Sequence, residues 1–460
     1  MARGRRCTIA GVAATEVTGL KAFAAKSAWL AEEGLRLDAT AYVTGGLQAR
    51  DKILARGDDW KPLGKVARLE KAPRFLRRYV YDRERGIPML SSSDILLCDI
   101  NSVSLLSNTI IKQHPDLLLQ EGWTLISRSG TVGNTAYVRP ELAGLAASEH
   151  VMRAIPRDGE ILPGFLFAFL TSDNGQAQLK QATYGSVIQH IEPHHIADLP
   201  VPLPDKEFGE RIHGLVESAA LKRTEAAQLL QTAAKYFDEL AGPMRLPHDH
   251  ARAVGIVRSG HLAARLDAFH HIGWATESEK LTGRSLHKLA AVTRPGIYKR
   301  IFVKRGVPVV TGIDVFQLRP SFRVRLMRSE VQQANSLIKH GQILVQRSGS
   351  RNGLIGRPAY VGKRLDDWAA TEDLVRVSPF DSKDAALIFA FLSSDAGHRA
   401  VLRTSYGTTI PHINPEGLRN LQIPTLPQAL VEGAARALVL REEADAEEEA
   451  AINEVEAWLS

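Results

Sequence analysis

The residues with the clearest chemistry in this 460-residue chain are cations gathered in two short segments. Segment 71–85 contains six basic residues against Asp82 and Glu84, and segment 294–305 contains five basic residues and no acid. Arginine and lysine in such clusters bind anions such as nucleic-acid phosphates, although many charge runs are only solvated surface. The net charge of +7 favours an anionic partner. The acidic segment 432–456 suggests a separate surface for a different partner.

Two more arginines lie in identical Arg-Ser-Gly contexts, Arg128-Ser-Gly130 and Arg347-Ser-Gly349. An arginine at a turn can bind a phosphate through its fork of N–H donors, or it can bond loop carbonyls as part of the scaffold. Both interpretations stay open at this point. The candidate DNA-binding residues are Arg74, Arg77, Arg78, Arg83, Arg128, Lys299, Arg300, Lys304, Arg305, Arg347 and Arg351.

Catalytic signatures are missing from the sequence. It has no GxxxxGK[ST] phosphate loop, no GxGxxG that opens a helix after a strand, no HExxH, no GxSxG and no Asn/Asp-Pro-Pro-aromatic motif. The spacing of His190, His194 and His195 would allow a metal site, but the second half of the chain keeps only His412 at the corresponding place. We therefore favour a structural turn there, and expect no catalytic residue and no metal in this chain.

The composition is that of an ordinary globular protein. Hydrophobic residues make up 44% of the chain and charged residues 24%. The sequence contains no run of about 18 apolar residues, the length that a membrane-spanning helix needs. The two cysteines, Cys7 and Cys98, are too few for a disulfide framework and lack the CxxC spacing of a zinc site. We expect a soluble protein of the reducing cytoplasm.

An internal repeat organises the whole chain. Eight collinear matches are displaced by 219 to 229 residues, more than chance would give. They include Arg36-Leu-Asp-Ala39 with Arg265-Leu-Asp-Ala268, Gly86-Ile-Pro with Gly306-Val-Pro, Ser148-Glu-His-Val-Met-Arg153 with Thr371-Glu-Asp-Leu-Val-Arg376, Phe167-Ala-Phe-Leu170 with Phe389-Ala-Phe-Leu392, and Tyr184-Gly with Tyr406-Gly. The sequence therefore predicts two copies of one module.

Each copy has the same pattern of elements, which predicts a mixed α/β (α+β) fold. Apolar runs predict strands near 94–98, 123–127, 149–155, 342–346 and 373–377, and helices over 163–182 and 384–403. Proline-rich exits follow at 199–204 and 421–427, and each leads into a long helical pattern.

The long helix of the first copy has two apolar series with a period of seven. One contains Ile212, Ala219, Ala226, Ala233 and Leu240, and the other contains Val216, Leu230 and Phe237 with Arg223 as its one interruption. Such a seam needs a partner. The second helix has similar stripes through Leu438 and Ala444. Either each helix packs on its own module, or the two pair as an antiparallel coiled coil, which we favour.

These features together resemble the specificity (S) subunit of type I restriction-modification enzymes. The resemblance rests on Arg128-Ser-Gly-Thr-Val-Gly133, the Phe-Ala-Phe-Leu helix, Tyr184-Gly-Ser-Val-Ile and the Leu-Pro exit into a long helix, each of which has a counterpart in the second copy, and it covers about 36–460. It implies the following domains: a leader 1–34, target-recognition domain 1 at 35–205, a spacer helix 206–241, a linker 242–261, target-recognition domain 2 at 262–427 and a second spacer helix 428–460.

The resemblance implies a noncatalytic subunit that reads a bipartite gapped site in double-stranded DNA. Two DNA methyltransferase subunits would supply S-adenosylmethionine, and a translocating restriction nuclease can join the complex. The alternatives are a specificity-type subunit of another methylation-linked phage-defence complex, an autonomous DNA-modifying enzyme, and a purely structural assembly protein.

The repeat also separates two kinds of contact. Residues that recur in both copies cannot distinguish two different half-sites, so we expect them to be scaffold or to contact phosphates. Base readout should lie where the copies diverge, at 70–85 and 99–120 in the first copy and at 294–304 and 314–340 in the second.

Overall fold

The fold is taken from a computed structural model of the chain. The residues that it describes are 6–9, 12–17, 20–23, 25–32, 39–57, 59–130, 132–183, 190–242, 268–271, 281–296, 299–350, 353–407 and 409–460. Several sequence features lie outside these residues, namely Arg351, most of the proposed linker 242–261, the repeat residues 36–38 and 265–267, and the stretch 184–189.

The chain divides into two compact units. The first contains Met1–Leu221 with Ala444–Ser460, and the second contains Lys222–Glu443. Both boundaries fall inside the long helices, so each unit includes one segment of each helix. The domain boundaries drawn from the sequence stay predictions.

The first unit is built on a four-stranded antiparallel main sheet. Its order is Thr135–Tyr137, Thr124–Ser127, Val151–Pro156 and Ala67–Lys71. A small sheet has the order Ala146–Ala147, Gly86–Leu90, Leu105–Ser107 and Tyr79–Val80, and Pro200–Pro202 pairs with Trp60–Pro62. Its helices are Ser27–Glu32, Thr40–Val43, Gly46–Leu54, Leu63–Val66, Asn108–Gln113, Pro163–Thr171, Asp173–Gln181 and Pro193–Ile196. Within the leader, Arg6–Ile9, Val12–Val17 and Leu20–Phe23 form a three-stranded antiparallel sheet.

The second unit has a main sheet with the same order of corresponding strands. This order is Pro358–Tyr360, Ile343–Gln346, Leu374–Pro379 and Ala290–Thr293. The small sheet consists of Arg325–Leu326, Phe302–Val310 and Ala369–Ala370, and the two-stranded pairs are Arg284–Ser285 with Gln422–Ile423 and Ser405–Tyr406 with His412–Ile413. Its helices are Ala268–His271, Arg328–Gln333, Ser382–Ser393, Asp395–Arg403 and Pro415–Arg419. The mixed fold of helix and sheet is thus confirmed.

The core of each unit lies between its main sheet and the helix that contains Phe-Ala-Phe-Leu. Phe165, Phe167 and Phe169 are all buried in the first unit, as are Phe389 and Phe391 in the second. Because such a helix is apolar on every side, it can only be a core helix. Burial of an aromatic side chain of this kind contributes on the order of 2–3 kcal/mol.

The single helices predicted over 163–182 and 384–403 are wrong in one respect, because each is broken in the middle. Ser172 ends one helix and caps the next by accepting a hydrogen bond from Gly175 N at 3.2 Å. Ser394 does the same with Gly397 N at 2.9 Å. A Cβ at either glycine would overlap the carbonyl oxygen of Phe169 or Phe391, so the sharp corner requires glycine.

The strand predicted near 94–98 is also wrong. Asp94–Leu96 is a single 3-10 turn, and Ser91 and Asp94 stabilise it through the hydrogen bond from Ser91 N to Asp94 Oδ2 at 2.9 Å. A short polar side chain that bonds nearby backbone favours a turn over a strand. The strands predicted near 123–127, 149–155, 342–346 and 373–377 are present.

The long helices run from Lys206 to Ala241 and from Gln428 to Leu459. The apolar seam of the first helix is buried, and it includes Ile212 in one unit and Phe237 in the other. Leu240 departs from this pattern with 50% of its surface exposed, whereas the next residue, Ala241, is buried. Over the described part of the chain, no helix is both long and apolar enough to cross a membrane.

Candidate nucleic-acid interface

Three polar residues of the first unit meet at one end of its main sheet. Lys71 ends one strand, Arg128 follows another, and His150 precedes the antiparallel strand that lies between them. The register pairs Val151 with Ser127 and Met152 with Lys71, and Arg128 N donates to the His150 carbonyl at 3.0 Å. Antiparallel pairing therefore fixes these side chains at a common edge.

Arg128 is held by an acid. Its guanidinium pairs with Glu192, which also accepts a hydrogen bond from Lys71 Nζ at 2.6 Å. Burial alone would raise the pKa of Glu192, but the hydrogen bonds from Lys71 and Arg128 outweigh it and hold that pKa below its usual value. In the absence of DNA, the Arg128 charge is thus largely compensated, and the Glu192 carboxylate stays ionised.

Arg77 connects the basic segment to the same edge. Its guanidinium donates to Glu149 Oε1 at 2.8 Å, and Glu149 is mostly buried. Beside it, Ser129 Oγ lies 3.0 Å from His150 Nδ1. Burial lowers the pKa of His150, and the nearby charges of Arg77 and Arg128 lower it further against the opposing effect of Glu149. This histidine therefore stays neutral near pH 7.

The rest of the basic segment faces solvent. Arg74, Arg78 and Arg83 are exposed, and two apolar side chains among them are almost fully exposed, Leu76 at 84% and Tyr81 at 86%. Large apolar side chains that are this exposed among cations are typical of a surface that contacts a polyanion with apolar parts, as the bases of DNA are.

In the second unit, Arg347 occupies the place of Arg128 without the acid. Residue Asn414, the N-cap of a short helix as Glu192 is, stands where the first unit has Glu192. Arg347 donates to the Tyr406 hydroxyl at 3.2 Å, and the carboxylate of Asp373 accepts a hydrogen bond from Ser348 Oγ at 2.7 Å. Among the described residues, no acid lies within ion-pair distance of the Arg347 guanidinium, which leaves its charge available to a ligand.

Arg300 lies close to a glutamate at the end of the main sheet of the second unit, as Arg77 does in the first unit. It lies 3.7 Å from Glu372, the residue that matches Glu149 in the repeat. Four predicted residues of this segment are exposed, namely Lys299, Arg300, Lys304 and Arg305. The structure therefore brings one predicted arginine of each segment to the end of each main sheet, and leaves the others on the surface. Whether any of these residues contacts DNA stays a prediction.

The sequence motifs concealed two scaffold arginines. Arg153 is buried and donates to the carbonyls of Leu117 and Ala147, at 3.3 and 3.0 Å. Its counterpart Arg376 donates to those of Asn335 and Leu337, at 3.1 and 2.7 Å. Burial lowers the pKa of both guanidinium groups. Their signal was the shared Glu-x-x-x-Arg spacing of the repeat, which also marked Glu149 and Glu372.

The histidines of the first unit are engaged in local structure. His195 Nδ1 accepts from Glu192 N at 3.2 Å to complete a capping box, and its ring lies against that of His194. In the part of the chain that the structure describes, no group of three potential ligands is placed to hold a metal ion.

The sheet-end arginines, the buried scaffold arginines and the exposed cations of the two basic segments together suit an extended polyanion, and binding of one stays a prediction. The comparison with known families gives the class more closely. Residues 58–230 match the model of the type I restriction modification DNA specificity domain. The resemblance to the specificity subunits of type I restriction-modification systems is thereby confirmed for this part of the chain. No curated protein sequence matches the chain.

Solved structures of such subunits align along most of the chain. The S subunit of a type I restriction-modification system from M. genitalium is 12% identical, with 87% of this chain and 93% of that chain covered at a TM-score of 0.29. The HsdS subunit from Thermoanaerobacter tengcongensis is 17% identical, with 88% and 94% covered at a TM-score of 0.27. A chain from a study of complex assembly and conformational transition in the type I R-M system is 17% identical, with 87% and 95% covered at 0.27. At these TM-scores the assignment depends on the family match alone.

Proposed function

We propose that this chain is a noncatalytic subunit that recognises a bipartite, gapped sequence in double-stranded DNA for a type I restriction-modification complex. The observation that carries the proposal is the match of residues 58–230 to the type I DNA specificity domain. The exposed cations around the end of each main sheet support it, because DNA binding depends chiefly on the neutralisation of phosphates.

The proposal of a bipartite site is supported by the likeness of the two units. Both units have the same strand order in the main sheet, the same broken helix at Ser172 and Ser394, and the same buried arginines. Two similar but not identical modules in one chain are suited to two different half-sites. These features support two target-recognition domains over 35–205 and 262–427.

The proposal of a gap between the half-sites is supported by the long helices, which we propose to pair as an antiparallel coiled coil. In the first unit, Arg211 pairs with Glu454 at 2.7 Å and Phe208 packs on Trp458. In the second unit, Lys222 pairs with Glu443 at 3.4 Å. Within each unit, the first helix thus contacts the second with opposite chain direction, and alanines at the buried positions allow close approach.

Chemistry would come from partners. Two DNA methyltransferase subunits would bind the chain and supply S-adenosylmethionine, and a translocating nuclease subunit can complete the system. The division of labour is supported by the lack of a cofactor-binding signature in the sequence and by the family match.

The test is methylation sequencing of DNA from a host that expresses this chain with its neighbouring methyltransferase gene. We expect one asymmetric two-part motif, which disappears when either gene is omitted. Methylation by the isolated chain would instead establish an autonomous enzyme. A complex that assembles but shows no salt-sensitive DNA binding would favour the structural-assembly alternative.

A further inference from the structure

In each small sheet, one leucine pairs with two residues that lie before and after a short connection. In the first unit, Leu106 pairs with Tyr79 on one side and with Ile87 on the other, because Leu105–Ser107 lies between the strands Tyr79–Val80 and Gly86–Leu90. In the second, Leu326 pairs with both Phe302 and Val307, and the register shifts between these two residues. We call the residues between the two partners, 80–86 and 303–306, the bulge loops, after the register shift of the second unit.

The anchors of the two bulge loops are the same. Each loop ends on a glycine followed by a residue of the sheet, Gly86 or Gly306. A Cβ at Gly86 would lie 2.9 Å from the Leu106 carbonyl oxygen, and one at Gly306 would lie even closer to the Leu326 carbonyl oxygen. Glycine is thus required for the close approach of the backbone to the facing carbonyl in both units.

The bulge loops themselves differ in length and in chemistry. The first has seven residues (80–86), and its polar side chains are Tyr81, Asp82, Arg83, Glu84 and Arg85. The second has four (303–306), with Lys304 and Arg305 as its charged residues. Identical anchors with different loops are what two modules need if they share a scaffold and read different sequences.

The first bulge loop is ordered although it is exposed. Asp82 Oδ1 accepts from Glu84 N at 2.9 Å, and Arg85 N donates to the Asp82 carbonyl at 3.0 Å. From the neighbouring helix, Asn108 binds the carbonyls of Glu84 and Arg85. The backbone is therefore fixed from inside, while the Tyr81 and Arg85 side chains face solvent at 86% and 81% exposure.

The second bulge loop has a similar arrangement. Arg325 donates to the Gly306 carbonyl at 3.1 Å, and Met327 N donates to the Ile301 carbonyl at 3.1 Å. Lys304 and Arg305 are exposed, and at the start of the loop the Phe302 ring is 61% exposed. Both loops thus combine cations with an aromatic ring that is mostly exposed.

We propose that each bulge loop is the base-reading element of its unit and enters the major groove of its own half-site. The inference deepens the proposed function and rests on it. The first loop contains Asp82 and Glu84 beside its two arginines, so a role in phosphate binding alone would place two acids against a polyanion. The base edges of the major groove offer acceptors to arginine, the cytosine amino group to an acid, and the thymine methyl group to an aromatic ring.

The test is made on the complex of the full chain with its methyltransferase partner, and its readout is the methylated motif. We expect R83A/R85A to relax or change bases in one half-site, with the other half-site and the gap unchanged. K304A/R305A should do the same to the other half-site. The matched control is Arg157→Ala, an exposed arginine that follows the opposite end of the main sheet, which should leave the motif unchanged.

A charge-preserving variant, R83K/R85K, separates base reading from phosphate binding and serves if the alanine variant does not fold. Lysine keeps the charge but loses the bidentate fork, so base reading predicts a relaxed half-site. An unchanged motif in both variants, with only a lower salt dependence of binding, would overturn the inference and leave the proposed function intact. If the wild-type complex methylates no defined motif, the proposed function itself is wrong.

Discussion

At the residue scale, the two units differ most at the arginine of the Arg-Ser-Gly turn. Arg128 is compensated by Glu192, whereas no acid within ion-pair distance compensates Arg347 among the described residues. The two turns therefore have the same backbone role and different charge. From the sequence alone, each of these arginines can contact a phosphate or serve as part of the scaffold. The structure distinguishes them, because only Arg347 has a charge that is available without breaking an ion pair.

Exchange of the two capping residues tests this difference. Glu192→Asn should free Arg128 and Lys71 and steepen the dependence of DNA affinity on salt by about 0.9 in the log–log slope for each phosphate that these cations then contact. Asn414→Glu should give Arg347 an acidic partner and make the slope shallower. Both are measured by DNA titration over a range of salt concentrations. If both variants have the slope of the wild type, these arginines do not contact phosphates and serve only as part of the scaffold.

A second pair of matched residues predicts a difference in acid sensitivity. His398 is buried, its Nε2 donates to the Ile355 carbonyl at 2.9 Å, and burial lowers its pKa to about 3. An unfolded histidine titrates near 6.5. The fold therefore favours the neutral ring, and this stability is fully present above pH 6.5 and is lost as pH falls from there toward 3. The slope approaches about 1.4 kcal/mol per pH unit.

His398→Gln should remove that pH dependence, because Gln176 in the first unit occupies the corresponding helix position and donates to the Gly133 carbonyl at 2.8 Å. Hydrogen exchange of helix Ser382–Ser393 between pH 7 and 5 measures the effect, with helix Pro163–Thr171 of the first unit as the internal control. An equal loss of protection in the variant and the wild type would assign the acid sensitivity to other groups.

At the scale of elements, the periodicity of apolar residues predicted the long helices, whose position depends on continuous burial. It missed the breaks in shorter helices, which depend on single hydrogen bonds. The seven-residue series located the long helices because a regular stripe needs continuous burial. The breaks at Ser172 and Ser394 were missed, since a serine cap within an apolar run leaves the periodicity intact. The bulge loops were missed for the same reason, because the register shift at Leu326 has no signal in the pattern of apolar residues.

The seam also predicts a sharp contrast in stability within one helix. Phe237 is fully buried and its ring packs edge-on against Phe391 with centroids 5.2 Å apart, whereas Leu240 is half exposed. Phe237→Ala should lower the free energy of unfolding of the second unit by about 3–5 kcal/mol. The matched Leu240→Ala should change it by less than about 0.5 kcal/mol. Urea unfolding of the full chain measures both, and similar effects of the two substitutions would contradict the buried seam.

At the scale of the whole molecule, the proposed coiled coil would set the distance between the two half-sites. The first long helix has 36 residues and the second has 32. At 1.5 Å per residue, each spans about 50 Å, which is more than one turn of DNA. The repeat made the two-module organisation predictable from the sequence. Target bases and spacer length were not predictable, because exposed side chains and DNA shape decide them.

Insertion of one matched heptad into each long helix should change the gap and leave the half-sites unchanged. A heptad adds about 10 Å, on the order of three base pairs, and nearly preserves the packing face. Because three base pairs also rotate the groove, we expect weaker binding with a longer gap. Methylation sequencing of hosts with either chain gives the answer, and an active lengthened chain with an unchanged gap would show that something else sets the spacing.

The most direct test of the central claim, that this chain supplies the sequence recognition, replaces only one of its modules. With the methyltransferase partner kept constant, residues 35–205 are exchanged for the corresponding module of another type I specificity subunit, and the methylated motif is sequenced. We predict that one half-site changes to that of the donor while the other half-site and the gap persist. An unchanged motif would show that recognition lies in the partner, and a change in both half-sites would show that the two modules are not independent readers.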